Sequence, residues 1–155
     1  MARCATEGEV LDAAIRLLAR REYSAAELRR KLEAKTDHAA WIDAAIERVQ
    51  SLGYQSDCRY TESFIRYAVS QGKGPVWIRY QLQHKGLCEQ LVSQQLADAD
   101  VDWDQLAMET LARRFTHAGT DAKERAKQYR LLSGRGFNPD SVRKAMESLP
   151  EIMCD

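Results

Sequence analysis

The chain has 155 residues, of which 45% are hydrophobic and 30% charged, enough to close a core and remain soluble. Its 23 basic and 23 acidic residues cancel, which removes bulk attraction to nucleic acid or an acidic membrane. Three prolines and eight glycines are too few for a disordered or fibrous chain, and no run approaches the roughly 20 apolar residues of a membrane span.

The apolar residues recur at helical spacing, and alternating Val/Ile/Thr runs are almost absent, so the expected class is all-α. Leu11, Ala14, Ile15 and Leu18 make a first stripe ending near Arg21–Tyr23. Ser24 to Glu27 has the capping-box pattern, and Leu28 and Leu32 face inward on the second helix. A third, from about His38 to Leu52, turns Trp41, Ile42, Ala45, Ile46 and Val49 inward and stops at Gly53. Asp57 is expected to cap a fourth helix, carrying Phe64, Ile65 and Ala68 and breaking at Gly72. Gly74-Pro75 opens the fifth with proline at its favoured first position; Trp77, Ile78 and Leu82 follow, and Lys85-Gly86 ends it. Leu87, Leu91, Val92 and Leu96 mark the sixth. Trp103, Leu106, Ala107, Thr110 and Leu111 mark the seventh, before a longer loop over His117–Thr120. Asp121 and Glu124 again resemble a capping box, Tyr129 and Leu132 belong to the eighth helix, and Asn138-Pro139 begins a ninth with Val142, Ala145 and Met146.

Sliding the chain along itself reveals a period of 50: Leu28 falls on Ile78, Arg29 on Arg79, Leu32 on Leu82, Lys35 on Lys85 and Ser24 on Gly74. The same step carries Leu82 to Leu132, Gly86 to Gly136, Leu87 to Phe137 and Val92 to Val142, and it shortens to 46 between Ile65 and Leu111. The expected architecture is three tandem three-helix repeats, over 9–54, 55–100 and 101–149, stacked as an elongated array.

Charge is uneven along this array. Arg16, Arg20, Arg21, Arg29, Arg30, Lys31 and Lys35 crowd the first copy, and Arg113 to Lys144 the last, behind an acidic join of Asp98, Asp100, Asp102 and Asp104. These are either solvated faces with i,i+4 pairs such as Glu27 with Lys31, or a partner-binding surface. Cys4, Cys58, Cys88 and Cys154 are scattered, with neither a CxxC nor a secretory signal, which points to four free thiols in a reducing cytoplasm.

Chemistry is hard to find. His38, His84 and His117 sit in different copies without metal-ligand spacing, so no metal or cofactor is expected and the histidines read as structural or surface groups. Gly72-Lys73-Gly74-Pro75 lacks the preceding strand and the ending of a phosphate loop. Asp102 and Asp104 sit at a helix start, where acids offset the helix dipole. The chain is therefore expected to grip a partner rather than catalyse. A helix-turn-helix-like DNA-binding protein is the alternative, with Trp77, Arg79, Gln81 and Gln83, or Arg29, Arg30 and Lys31, reading bases.

Three stretches stand in a fixed order: Arg20–Leu28, then the run from Leu52-Gly53-Tyr54 through Asp57-Cys58-Arg59-Tyr60 and Gly72-Lys73-Gly74-Pro75 to Ile78–Gly86, then Arg135-Gly136-Phe137. With these, from about Leu11 to Leu149, the chain resembles the RecX family of regulators of the RecA recombinase. The middle run looks like that family's signature, the first stretch resembles the start of its first repeat, and Arg135-Gly136-Phe137 resembles its third. Two departures stand out: Thr36 where the other copies have Gly86 and Gly136, and Gln55-Ser56 before Asp57. The resemblance implies a curved arrangement of repeats that binds RecA, lies in the groove of the RecA–DNA filament and restrains its growth, so that recombinase, ATPase and co-protease activities fall. With no apolar span and no net charge, no membrane partner is expected, and weak phosphate contact through the basic faces is compatible with either reading. A three-repeat array with its own end helices is expected to be a monomer.

The candidate partner-binding residues are Arg59, Tyr60 and Arg66, then Arg79 and Lys85, then Arg113, Arg114, Arg125 and Arg130. For Asp57, Arg59 and Tyr60 a second reading stays open, in which they tie one repeat to the next. Trp41, Trp77 and Trp103 read as packing residues rather than base-stacking platforms.

Overall fold

The computed structural model describes residues 3–150. Among these residues nine α-helices follow one another: α1 (Glu7–Arg20), α2 (Ala25–Glu33), α3 (Ala39–Ser51), α4 (Asp57–Ser70), α5 (Pro75–His84), α6 (Glu89–Asp98), α7 (Trp103–Ala112), α8 (Ala122–Gly134) and α9 (Pro139–Ser148). No strand occurs among the described residues, so the all-α class and the three-times-three order hold.

The helix starts are chemically explicit. Thr6 caps α1 by accepting from the Glu9 amide at 3.2 Å. At α2 the capping box is complete, with the Ser24 hydroxyl on the Glu27 amide and the Glu27 carboxylate on the Ser24 amide. Asp102 caps α7 and Asp121 caps α8, but Glu124 returns to the amide of Thr120, one residue outside a standard box. At α4 the expectation fails. The capping oxygen is that of Ser56, which accepts from the Arg59 amide at 3.1 Å, and Asp57 is already helical. The Asp57 carboxylate instead reaches the amide of Ala25, at the start of α2, at 2.8 Å.

The fold divides into two compact units, one made of residues up to Ser63 with Leu82–Val92, the other of Phe64–Gln81 with residues from Ser93 onward. In the first, Val10, Ala14, Leu28, Leu32, Ile42, Ala45, Ile46 and Val49 are buried together where α1, α2 and α3 pack, with Leu11, Ile15, Leu18 and Trp41 partly covered around them. In the second, Ala107, Leu111, Leu132, Phe137, Val142 and Ala145 are buried between α7, α8 and α9. Burial on this scale is the main source of stability for short helices that would be marginal in water.

Each unit contains a joint of the same design. In the first, the Ser24 hydroxyl at the head of α2 donates to the Lys85 carbonyl at 2.8 Å, and Gly86, at φ +81°, lies against Ala26 so closely that a Cβ would collide with that methyl. In the second, the Gly74 amide at the head of α5 donates to the Arg135 carbonyl at 2.7 Å and the Val76 amide to the Gly136 carbonyl at 2.9 Å. A Cβ on Gly136, at φ +91°, would strike the Trp77 backbone and Cβ. The joint residues are 50 positions apart: Ser24 and Gly74, Lys85 and Arg135, Gly86 and Gly136. This accounts for the departure at Thr36. There the Lys35 carbonyl accepts from the Cys4 amide at 2.8 Å, a non-helical segment rather than a helix head, and a side chain fits. Thr36 is buried and its hydroxyl accepts from the His38 amide at 3.1 Å.

One core position breaks the apolar pattern. Gln128 occupies the slot filled by Leu28 and Ile78 in the other copies and is 2% exposed, while the neighbouring Tyr129 is exposed. The Gln128 amide donates to the His117 carbonyl at 3.1 Å, and its Oε1 has no hydrogen-bond partner among the described residues. Gln128→Leu should raise the unfolding free energy by about 1 kcal/mol, because a buried orphan acceptor disappears while the exposed His117 loop turns its carbonyl to water. Urea denaturation checks this; a loss instead would mean that the tie to the loop outweighs the orphan.

Candidate partner-binding surface

The nine candidate residues separate into two groups. Arg59, Tyr60 and Lys85 are engaged within the first unit. The Arg59 guanidinium donates to both carboxylate oxygens of Glu22, at 2.7 and 3.2 Å, and to the carbonyls of Gly53 and Tyr54, each at 3.0 Å. The bond to Glu22 raises its pKa above the usual arginine value. This planar fork fits a carboxylate and a chain turn at once, which a lysine could not do. Tyr60 is buried and its hydroxyl donates to Glu27; burial first, then that bond, push its pKa far above the ordinary phenol range. The Lys85 ammonium lies 3.8 Å from Glu27, which also accepts from Arg21 at 3.4 Å.

Glu27 is therefore the hub of this network. Its partners are Tyr60, Ser24, Lys85 and Arg21, not the expected neighbour Lys31. Burial pushes its pKa upward, but the Tyr60 hydroxyl, the Ser24 amide and the two cations together hold it below the usual carboxylate value. Gln55, conspicuous in the sequence as a departure, is buried and holds the Tyr23 carbonyl at 3.2 Å and Asp57 at 3.0 Å. Asp57, Arg59 and Tyr60 thus tie segments of the first unit together, the second reading that the sequence left open.

The remaining candidates face solvent. Arg66 is exposed on α4, and Arg79 is exposed on α5, with its guanidinium on the Ser93 hydroxyl at 2.9 Å. Arg113 and Arg114 follow directly on the end of α7, and Arg125 and Arg130 lie on α8; all four are exposed. Among the described residues these four side chains make no hydrogen bond or ion pair. On α8 the spacing of Lys123, Lys127 and Arg130 places them on one face. Arg125 lies on another, beside Tyr129, where it lines a cleft of about 550 Å³ with Asp140 and Arg143 of α9.

The histidines remain apart: His38 heads α3 and stacks on Trp41 at 3.8 Å, His84 ends α5, and His117 lies in the α7–α8 loop beside Thr116. Among the described residues no three His, Cys, Asp or Glu converge as metal ligands, and no helix is long and apolar enough to cross a membrane. Cys4, Cys58 and Cys88 are in no disulfide, and Cys154 lies outside the described residues.

Comparison with known proteins places this architecture. Models of the first, second and third three-helix domains of RecX match residues 11–48, 56–96 and 100–146. The chain is 42% identical over 135 residues to the regulatory protein RecX of Chromohalobacter salexigens, spanning 87% of this chain and 89% of that one. It is 42% identical over 130 residues to the same-named protein of Pseudomonas savastanoi, spanning 83% and 84%. A crystal structure of RecX from Lactobacillus salivarius superposes with a TM-score of 0.80 over 92% of this chain and 96% of that one, at 23% identity, which speaks for the fold. Because all three domains match in order and the relatives are this similar over most of both chains, the chain belongs to the RecX family.

Proposed function

We propose that this chain is a non-catalytic regulator that binds the RecA recombinase, or its filament on DNA, and restrains filament growth, lowering recombinase, ATPase and co-protease activity. The observation that carries the reading is the ordered match of three RecX domains, with relatives named regulatory proteins. In this reading the protein acts in the cytoplasm, as a monomer of three repeats over 9–54, 55–100 and 101–149. A filament presents its protomers at fixed spacing, so repeats that each make a modest contact gain affinity by acting together.

The exposed arginines are the natural contacts in this reading. Arg113, Arg114, Arg125 and Arg130, with Arg66 and Arg79, present the residue type that most often anchors interfaces. Arg59, Tyr60 and Lys85 would act less directly, by holding the segments from which contacts project.

The test is single-strand-DNA-dependent ATP hydrolysis by RecA, with this protein well below the RecA concentration. Inhibition is expected, and the double variant Arg113→Glu, Arg114→Glu should need about tenfold more protein for the same effect while keeping its helical content. Undiminished hydrolysis with the folded wild-type chain would sink the reading and favour a DNA-binding protein that acts without RecA.

A further inference from the structure

The cleft of about 550 Å³ between α8 and α9 has an apolar floor that nothing described so far covers. Tyr129 of α8 lines it together with Pro139 and Met146 of α9, and the Tyr129 ring is 46% exposed. Of its four charged side chains, Asp140 and Arg143 lie 3.6 Å apart as a pair. Arg125 and Glu147 have no ion pair among the described residues. We infer that the occupant of this cleft is the chain's own segment 151–155, Glu-Ile-Met-Cys-Asp, which folds back across α8 and α9 as a strap.

Three observations carry the inference. The first is the path of the chain. Leu149 is buried, and the carbonyl of Pro150, the last described residue, accepts from the Ala118 amide at 2.8 Å, beside Gly119, which lines the cleft. Gly119 is in turn pressed on the first turn of α8, where a Cβ on it would meet the Arg125 nitrogen at 2.8 Å and its Cγ at 2.9 Å. The next residue, Glu151, is therefore delivered to the rim beside Arg125, and its carboxylate supplies the anion that this guanidinium lacks. The second observation is composition. Ile152, Met153 and Cys154 follow the acid, three apolar side chains for an apolar floor. The third is length. Five extended residues reach roughly 17 Å, more than the roughly 8–10 Å between the axes of packed helices, so the segment can cross the cleft.

The same observations favour this occupant over a foreign one. A segment tethered at the rim has an effective concentration of about a millimolar or more, so contacts too weak to recruit a separate molecule suffice to hold it. Glu147 opposes an acidic strap, but the strap enters on the side of Arg125, and the apolar residues follow. A docked strap covers Arg125 and the Tyr129 ring. In the regulatory reading Arg125 is a partner contact, so strap and partner exclude each other there; that consequence rests on the regulatory reading, whereas the docking does not.

The experiment is methyl NMR of the full chain, without RecA. The Ile152 and Met153 methyl signals should be shifted upfield by the Tyr129 ring and show nuclear Overhauser contacts to that ring and to the Met146 methyl. Tyr129→Ala should abolish the upfield shift and Tyr129→Phe should retain it. Arg125→Glu, which sets like charges at the point of entry, should return both methyls to their values in an unstructured peptide. Tyr67→Ala, an exposed tyrosine outside this cleft, should change nothing. All four substitutions fall on exposed side chains, and circular dichroism confirms that the variants are folded. Methyl signals at unstructured values in the wild-type chain, contacts to some other surface, or an upfield shift that survives Tyr129→Ala would overturn the inference. So would contacts that arise only between labelled and unlabelled chains in a mixture, because the strap would then belong to a second copy. RecA takes no part, so such a result leaves the ATPase test untouched, and a failed ATPase test leaves this one standing.

Discussion

Gly136→Ala is expected to lower the unfolding free energy by about 3 kcal/mol or more, because two separate costs meet at one carbon. Gly136 has φ +91°, outside the ordinary range of residues that carry a Cβ. The added methyl would also strike the Trp77 backbone, which cannot rotate away as the tip of a side chain could. Other glycines supply internal controls. Gly53 also has a positive φ, +76°, but nothing lies within 4 Å of its missing Cβ, so alanine there should cost only about 1 kcal/mol. Gly134 ends α8 with open space and no positive φ, so alanine there should be neutral or stabilising by about 0.5 kcal/mol. Thermal unfolding separates the three: about 2–4 °C is expected per kcal/mol in a chain of this size. If Gly136→Ala melts with Gly53→Ala, the close approach to Trp77 contributes nothing and the joint is looser than described.

That joint also shows what could be read from sequence and what could not. The 50-residue step aligned Gly86 with Gly136 and Ser24 with Gly74, because close approach allows few residue types and leaves a visible mark. Helix starts were legible wherever the cap is local, as at Ser24 and Asp102. They were not legible where a side chain serves a distant segment. Asp57 stands where a cap is expected, yet its carboxylate serves Ala25, 32 residues earlier, and the neighbouring Ser56 takes the local role. Glu27 has Lys31 one turn away and bonds Tyr60 and Lys85 instead, since an inward-facing carboxylate takes partners that the tertiary fold supplies. The 50-residue step carries Leu28 and Ile78 onto Gln128 and not onto its neighbour Tyr129, and of the two it is Gln128 that is buried.

Removing the hub should be costly in a way that depends on pH. Glu27→Ala strands the buried Tyr60 hydroxyl, uncovers the Ser24 amide and leaves Lys85 and Arg21 facing each other's charge without an anion. The expected loss at neutral pH is about 2–4 kcal/mol, most of it from the orphaned buried hydroxyl and the lost cap. Glu27→Gln keeps the shape and an accepting oxygen, so it should cost less at pH 7. Its effect on the pH profile is the sharper test. The Glu27 pKa is lowered in the fold, so its ionised form contributes stability that is present above the ordinary value of 4.5 and is lost as pH falls through the lowered one. Tyr60 is shifted the other way: its neutral form is favoured by the fold, so its contribution is present below pH 10 and is lost as pH rises beyond it. Urea midpoints measured across the acid range should therefore fall less steeply for Glu27→Gln than for wild type. Tyr60→Phe should flatten the alkaline limb and part of the acid one, since it removes the hydroxyl that holds the Glu27 pKa down. A double-mutant cycle between the two positions should give a coupling of about 1 kcal/mol or more. Parallel acid limbs for wild type and Glu27→Gln would mean that Glu27 titrates alike in folded and unfolded chains, and the network would then be a contact without electrostatic consequence.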